Sequence, residues 1–220
     1  MRTRAMISGL QVMLGVCMSA MLASPAYAQE QTTGLIGRAW IGTMGRYVLK
    51  DNEPFASPGF GTSLLAVDGS GVAVGGDLEY RFSKWLGVDA ALGYSKLNVN
   101  YTTSLTPGVT ATNRFTVVPL LFALNIHVVH SEKVDVWVGP QVGWVMFPDA
   151  LSFPVAGGRT YTYQPQTPFS HEGFVVGADI GITKTVALNL AFRWQDADAD
   201  SNANLTVDPA LLTFGVTKKF

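Results

Sequence analysis

Residues 211–220 read LLTFGVTKKF. Leu212, Phe214, Val216 and Phe220 fall on one parity, and Thr213, Gly215, Thr217 and Lys219 on the other. Side chains alternate across a β-strand, so this is a strand with one apolar face and one small or polar face. It also ends on an aromatic residue. A strand of a soluble sandwich shows the same alternation, but seldom as the last segment of a chain with a terminal Phe. The closing strand of an outer-membrane barrel has that form, and Phe214, Val216 and Phe220 carry its signal.

The other end of the chain agrees. Arg2 and Arg4 precede an apolar stretch from Ala5 to Ala23, and Ala26, Tyr27 and Ala28 form a small-x-small site before Gln29. This pattern predicts a secretory signal peptide over 1–28 and a mature chain over 29–220. The competing reading, an uncleaved membrane helix, fits these flanks less well. Cys17 lies inside the signal, and Val16 before it argues against a lipoprotein site, so the mature chain holds no disulfide. Cleavage takes two of the 15 basic residues and none of the 16 acidic ones, leaving a net charge of −3. No basic patch argues for nucleic acid. No mature segment reaches the ~18 consecutive apolar residues of a spanning helix. The length suits one domain.

Period-2 reading of the mature chain predicts eight strands. The clearest is 186–195, where Val186, Leu188, Leu190, Phe192 and Trp194 share one face. That run suits one tilted bilayer crossing, and Asp196, Asp198 and Asp200 end it abruptly. The others are about 35–48, then 72–82, 86–95, 115–128, 134–147, 174–182 and the closing strand. Along each, an apolar face opposes a face bearing the charges, the reverse of a water-soluble barrel. Short turns at 83–85, 129–133 and 183–185 carry Lys84, Lys133 and Lys184, whereas connections 49–71, 96–113, 148–173 and 196–209 are long. Short periplasmic turns, long extracellular loops and aromatics near strand ends (Trp85, Tyr94, Trp144 and Trp194 among them) complete the pattern. The expected fold is all-β: a transmembrane, eight-stranded, antiparallel up-and-down β-barrel.

With these strands in place the chain resembles the OmpW-like family of small outer-membrane barrels. The resemblance rests on WVGPQVGWVMF (137–147), on GFVVGADIGITKTVALNLAFRWQDADAD (173–200) with its Asp-x-Asp-x-Asp ending, on VDPALLTFGVTKKF (207–220), and on Arg38 in the first strand. Lys218 stands where the family usually has an aromatic third from the end. The resemblance implies a bacterial outer-membrane location, uptake of small hydrophobic molecules and their lateral release into the membrane.

Projected inward, Arg38, Asp77, Glu79, Arg81, Asp89, Asp135, Asp179 and Arg193 form a lower charge cluster, with Asn125, His127 and Gln141. An eight-stranded barrel is just wide enough for side chains to fill it, so a salt-bridged core is expected rather than an ion pore. Asp179 is the expected partner of Arg193. Met44, Val117, Pro119, Leu121, Val145, Phe147, Val175 and Leu211 point inward in the extracellular half, as the lining of an apolar cavity over that charged floor. His127 and His130, three apart on a strand, fall on opposite faces, which disfavours a metal pair. Asp196, Asp198 and Asp200 lack the Gly and Glu of a calcium loop. His130, Ser131 and Glu132 are adjacent in a short turn and cannot assemble a catalytic triad. No enzyme, cofactor or metal is therefore expected. The expected partners are outer-membrane lipid and lipopolysaccharide, the barrel-assembly machinery, and small hydrophobic ligands. The alternative to a conduit is a non-channel structural or surface-interaction barrel with long extracellular loops.

Overall fold

A computed structural model describes residues 33–45, 48–49, 64–103, 110–131, 133–155, 159–163, 169–170, 172–200, 205–207 and 209–220. The expected signal peptide, 1–28, and positions 50–63 of the first long connection lie outside the described residues.

Eight strands build the wall: β1 (Gly34–Gly45), β2 (Leu64–Arg81), β3 (Leu86–Thr103), β4 (Thr110–His130), β5 (Val134–Met146), β6 (Glu172–Gly181), β7 (Val186–Asp200) and β8 (Ala210–Lys219). Each pairs antiparallel with its neighbour in sequence. β8 returns to β1 with Ala39 opposite Val216, which closes the sheet and leaves no edge. The Phe220 N–H donates to the Leu35 carbonyl at 3.0 Å, so the terminal residue belongs to the closure.

The period-2 pattern explains which face is which. Ile41, Val72, Tyr80, Leu190, Leu212 and Phe214 are exposed on the outside, and the alternate positions are buried. An apolar exterior of this extent is stable only against hydrocarbon. The three short turns share one device. The Ser83, Ser131 and Thr183 hydroxyls accept backbone N–H bonds from Leu86, Val134 and Val186, each three residues on. A hydroxyl in that position mimics a backbone turn and fixes the hairpin register.

The strands run further than expected on the extracellular side. β2 begins at Leu64, β3 ends at Thr103, β4 begins at Thr110 and β7 reaches Asp200. The connections expected at 49–71, 96–113 and 196–209 are shorter by these amounts. Above the membrane the outer face meets water, so Lys96, Asn98 and Asn100 take the outward positions and the outward apolar alternation that marks a membrane strand is lost while the ladder continues. β1 ends at Gly45 rather than 48, and Val48–Leu49 pairs instead with Leu205–Val207. The 148–173 connection holds its own hairpin, Leu151–Val155 against Arg159–Tyr163.

Two prolines interrupt the wall on opposite edges of β4. Between β3 and β4 the register is continuous, yet no pairing joins Gly93 and Tyr94 to Pro119 and Val118. Between β4 and β5 the same break separates Leu124 and Asn125 from Pro140 and Gly139. Proline has no N–H to give, so each break is the local cost of one proline in a central strand.

Candidate functional site

The lumen is layered. At the periplasmic end the Arg81 guanidinium donates to Asp135 Oδ2 at 2.6 Å, and His127 lies between two carboxylates, Nε2 at 2.7 Å from Glu79 Oε1 and Nδ1 at 2.8 Å from Asp135 Oδ1. Above it Arg38 donates to Asp77 at 2.9 Å, to Glu79 at 2.6 Å and to Asp179 at 3.2 Å, and its guanidinium lies 4.3 Å from the centre of a Trp137 ring. Asp179 also accepts from Asn189 at 3.0 Å and from the Thr217 hydroxyl. Higher again, Arg193 donates to Asp89 at 2.5 Å, Asp77 at 3.4 Å and Gln141 at 2.8 Å, and Gln141 donates to Gln195 at 2.9 Å. All eight residues read from the sequence as the charge cluster are brought into this network, and none is more than 5% exposed.

Two particulars differ from expectation. Arg193 does not meet Asp179. The β6–β7 register sets Asp179 opposite Asn189 and Arg193 opposite Val175, four residues further along, so the guanidinium crosses the lumen to Asp89 on β3. His127 and His130 do not serve opposite faces. A bulge between His127 and Val129 inserts Val128 and resets the parity, so His130 Nδ1 also comes within 3.6 Å of Asp135 and 3.3 Å of Arg81.

Above the charges the lumen becomes apolar. Met44, Val117, Pro119, Leu121, Val145, Phe147, Val175 and Leu211 all point inward and are buried. Phe147 stacks on Phe115 with ring centroids 5.2 Å apart. Trp40 lies between the tiers. A Cβ on Gly75 would come within 2.5 Å of its ring and one on Gly93 within 3.1 Å, so two glycines hollow the wall for one indole. Gly177 does the same for Trp137, at 2.2 Å. The upper tier is thus filled by its own side chains rather than open to water. The sequence reading missed Phe115, Leu97 and Ala73 in this tier, and Asn189 and Thr217 in the tier below. Inward parity on the expected strands 72–82 and 115–128 would have found Ala73 and Phe115, and the longer β3 brings in Leu97.

An apolar-walled closed sheet around a paired charge cluster is the arrangement of a membrane barrel, and the model of the outer membrane protein beta-barrel domain matches residues 14–220. The chain belongs to that family. It is a bacterial outer-membrane β-barrel, embedded in membrane lipid, in agreement with the OmpW-like resemblance drawn from the sequence. The fold is similar to that of OprG from Pseudomonas aeruginosa (18% identity over 84% of this chain and 95% of that one, TM-score 0.60). It is also similar to AlkL in lipid bilayers (17%, 90% and 95%, TM-score 0.52) and to Neisserial surface protein A (16%, 84% and 96%, TM-score 0.51). No curated protein matches the sequence. At these identities the likeness is one of fold. Among the described residues of this outer-membrane barrel, no group of three or more His, Cys, Asp or Glu is arranged around a metal position.

Proposed function

We propose that this outer-membrane barrel is a narrow conduit for small hydrophobic molecules, which enter the upper barrel from outside and leave sideways into the membrane. The observation that carries this reading is the apolar tier resting directly on the paired charge cluster, level with the broken β3–β4 ladder at Pro119. A greasy solute gains by leaving water for Val117, Leu121, Val145 and Leu211. It gains nothing by descending among Arg38, Glu79 and Asp89, whose desolvation is already balanced by their mutual pairing. The seam at Pro119 offers the remaining direction, because a wall missing a ladder bond opens at lower cost than one fully bonded. Passage requires Trp40 and the Phe115–Phe147 stack to move aside, since both fill the path. The resemblance to OmpW-like barrels points the same way.

A second reading, a structural or surface-interaction barrel, is favoured by that same filling of the upper tier. No catalytic role is proposed for either reading. The closing strand through Phe220 is the segment offered to the barrel-assembly machinery, and the extracellular rim faces lipopolysaccharide.

Leu121→Arg separates the two readings. Its guanidinium would project into the apolar tier and should abolish uptake of an apolar probe into proteoliposomes and whole cells while the barrel remains folded. Equal transport by Leu121→Arg and wild type, both matching protein-free controls, would leave the structural reading in place.

A further inference from the structure

We propose that the luminal cluster binds one monovalent cation at Asp89, beside Asn125. The inference is independent of the conduit reading, because it concerns the floor alone. Among the described residues, the lumen holds five carboxylates (Asp77, Glu79, Asp89, Asp135 and Asp179) and three guanidiniums (Arg38, Arg81 and Arg193), all buried. His127 adds one positive charge. Its ring nitrogens meet carboxylate oxygens at 2.7 and 2.8 Å and donate to both as the imidazolium, with Arg81 Nη2 also 3.0 Å from Nδ1. One negative charge is left over.

The hydrogen bonds place that charge on one atom. Both oxygens of Asp77, Glu79, Asp135 and Asp179 have partners, as does Asp89 Oδ2, but Asp89 Oδ1 has none. Asn125, fully buried, also has no partner for either amide atom. The β3–β4 register makes the two diagonal neighbours on the inner face, with Asp89 opposite Ala123 and Gly87 opposite Asn125, and the Glu79 side chain, opposite Asp89 on β2, packs over Gly87 beside them. The other luminal atoms without partners are uncharged, or belong to the Arg81 guanidinium, which is already paired.

An unbalanced charge in a lumen surrounded by lipid is costly, and a buried amide with neither donor nor acceptor satisfied adds to the cost. One positive charge at Asp89 Oδ1 removes the first, and a ligand shared with Asn125 removes the second. Two carriers share this chemistry. A proton would convert Asp89 to the acid. An alkali ion would sit between Asp89 Oδ1 and the Asn125 carbonyl oxygen, with water completing its shell. Around Asp89 stand Arg193 from β7, Glu79 opposite it and Asp77 on β2, Arg38 from β1 and Gln141 from β5, while His127 from β4, Asp135 from β5 and Asp179 from β6 are held by Arg81 and Arg38 in the tiers below. A shallow recess at the periplasmic mouth, lined by Lys133 and Lys219 and with room for about one water, reaches Asp135 and Asp179 at the foot of the cluster, below Asp89.

The test uses the folded barrel in lipid or detergent, unfolded with urea. NaCl and KCl are varied against choline chloride at constant ionic strength, and pH is varied in choline. If an alkali ion is the carrier, the wild-type unfolding midpoint rises with Na⁺ or K⁺ and saturates. If a proton is the carrier, the alkali ion has no effect, the unfolding equilibrium constant rises by up to about tenfold per pH unit, and the infrared spectrum shows a carboxylic-acid C=O band. Asp89→Asn makes the cluster neutral, so that variant should fold and lose whichever dependence the wild type has, together with the band. Asn125→Leu should weaken an alkali dependence and shift an acid band. The proposal is overturned if wild type and Asp89→Asn respond equally to alkali ions and to pH and no band is lost. It is equally overturned, should Asp89→Asn not fold, if Asn125→Leu changes neither dependence nor band.

Discussion

Arg193 is 2% exposed and ends on Asp89, Asp77 and Gln141. Truncating it leaves carboxylate buried without its counter-charge, so Arg193→Ala should cost about 3–5 kcal/mol of stability. Combined with Asp89→Asn the loss should be clearly less than the sum, whereas with Asp179→Asn the effects should add, because Asp179 is held by Arg38. A double-mutant cycle from urea unfolding checks both, and additivity with Asp89 would remove the pair from the floor. Trp137 gives a steric counterpart. Its ring occupies the space a Cβ at Gly177 would need, so Gly177→Val should destabilise by roughly 1–3 kcal/mol, and Trp137→Leu should recover part of that loss. At this scale the sequence told which residues point inward, since parity needs only local alternation. It did not tell which acid meets which base. That depends on the stagger of strands across the lumen, which brings Arg193 to a strand distant in sequence, and on a one-residue bulge that turns His130 toward Asp135.

Among the elements, β4 is the strand whose bonding is least complete, because prolines face it on one edge and interrupt it on the other. Backbone groups without partners are expensive in hydrocarbon, so a ladder break inside a barrel wall marks where strands separate most readily. Amide exchange should therefore be faster at Gly93, whose N–H lies on the Pro119 side of β3, than at Ala91 and Ser95 on the same edge, measured in lipid. Pro119→Val, which restores a donor on a β-favouring residue, should slow that exchange and stabilise the barrel by about 0.5–1.5 kcal/mol. If the seam is the exit, it should also lower uptake of an apolar probe. Unchanged exchange in Pro119→Val would show that the seam is already closed. The strand cores and the short turns were legible because hydrocarbon on one side enforces alternation, and a Ser or Thr starts each turn. The extracellular extensions of β2, β3 and β4 were not, because the outward face there turns polar, as at Lys96, Asn98 and Asn100, while Leu97 faces inward.

The whole molecule is held by closure as much as by any contact in its lumen. β8 bonds to β1 and β7 at once, and Phe220 completes the last turn of the sheet, so no strand can leave without breaking two ladders. Closed ladders resist dodecyl sulfate until heat separates them. The mature protein, beginning at Gln29 by mass spectrometry, should therefore migrate at different positions before and after boiling. Removing Phe220 alone should leave the equilibrium stability of refolded protein nearly unchanged, since its side chain lies at the edge of the lipid-facing surface. If that terminal aromatic is the assembly signal, the same deletion should sharply reduce the heat-modifiable form recovered from cells. Equal loss in the test tube and in cells would instead make Phe220 a structural contact of the closing strand. Recovery of wild type from the soluble periplasm, without a heat-modifiable form, would contradict membrane closure altogether.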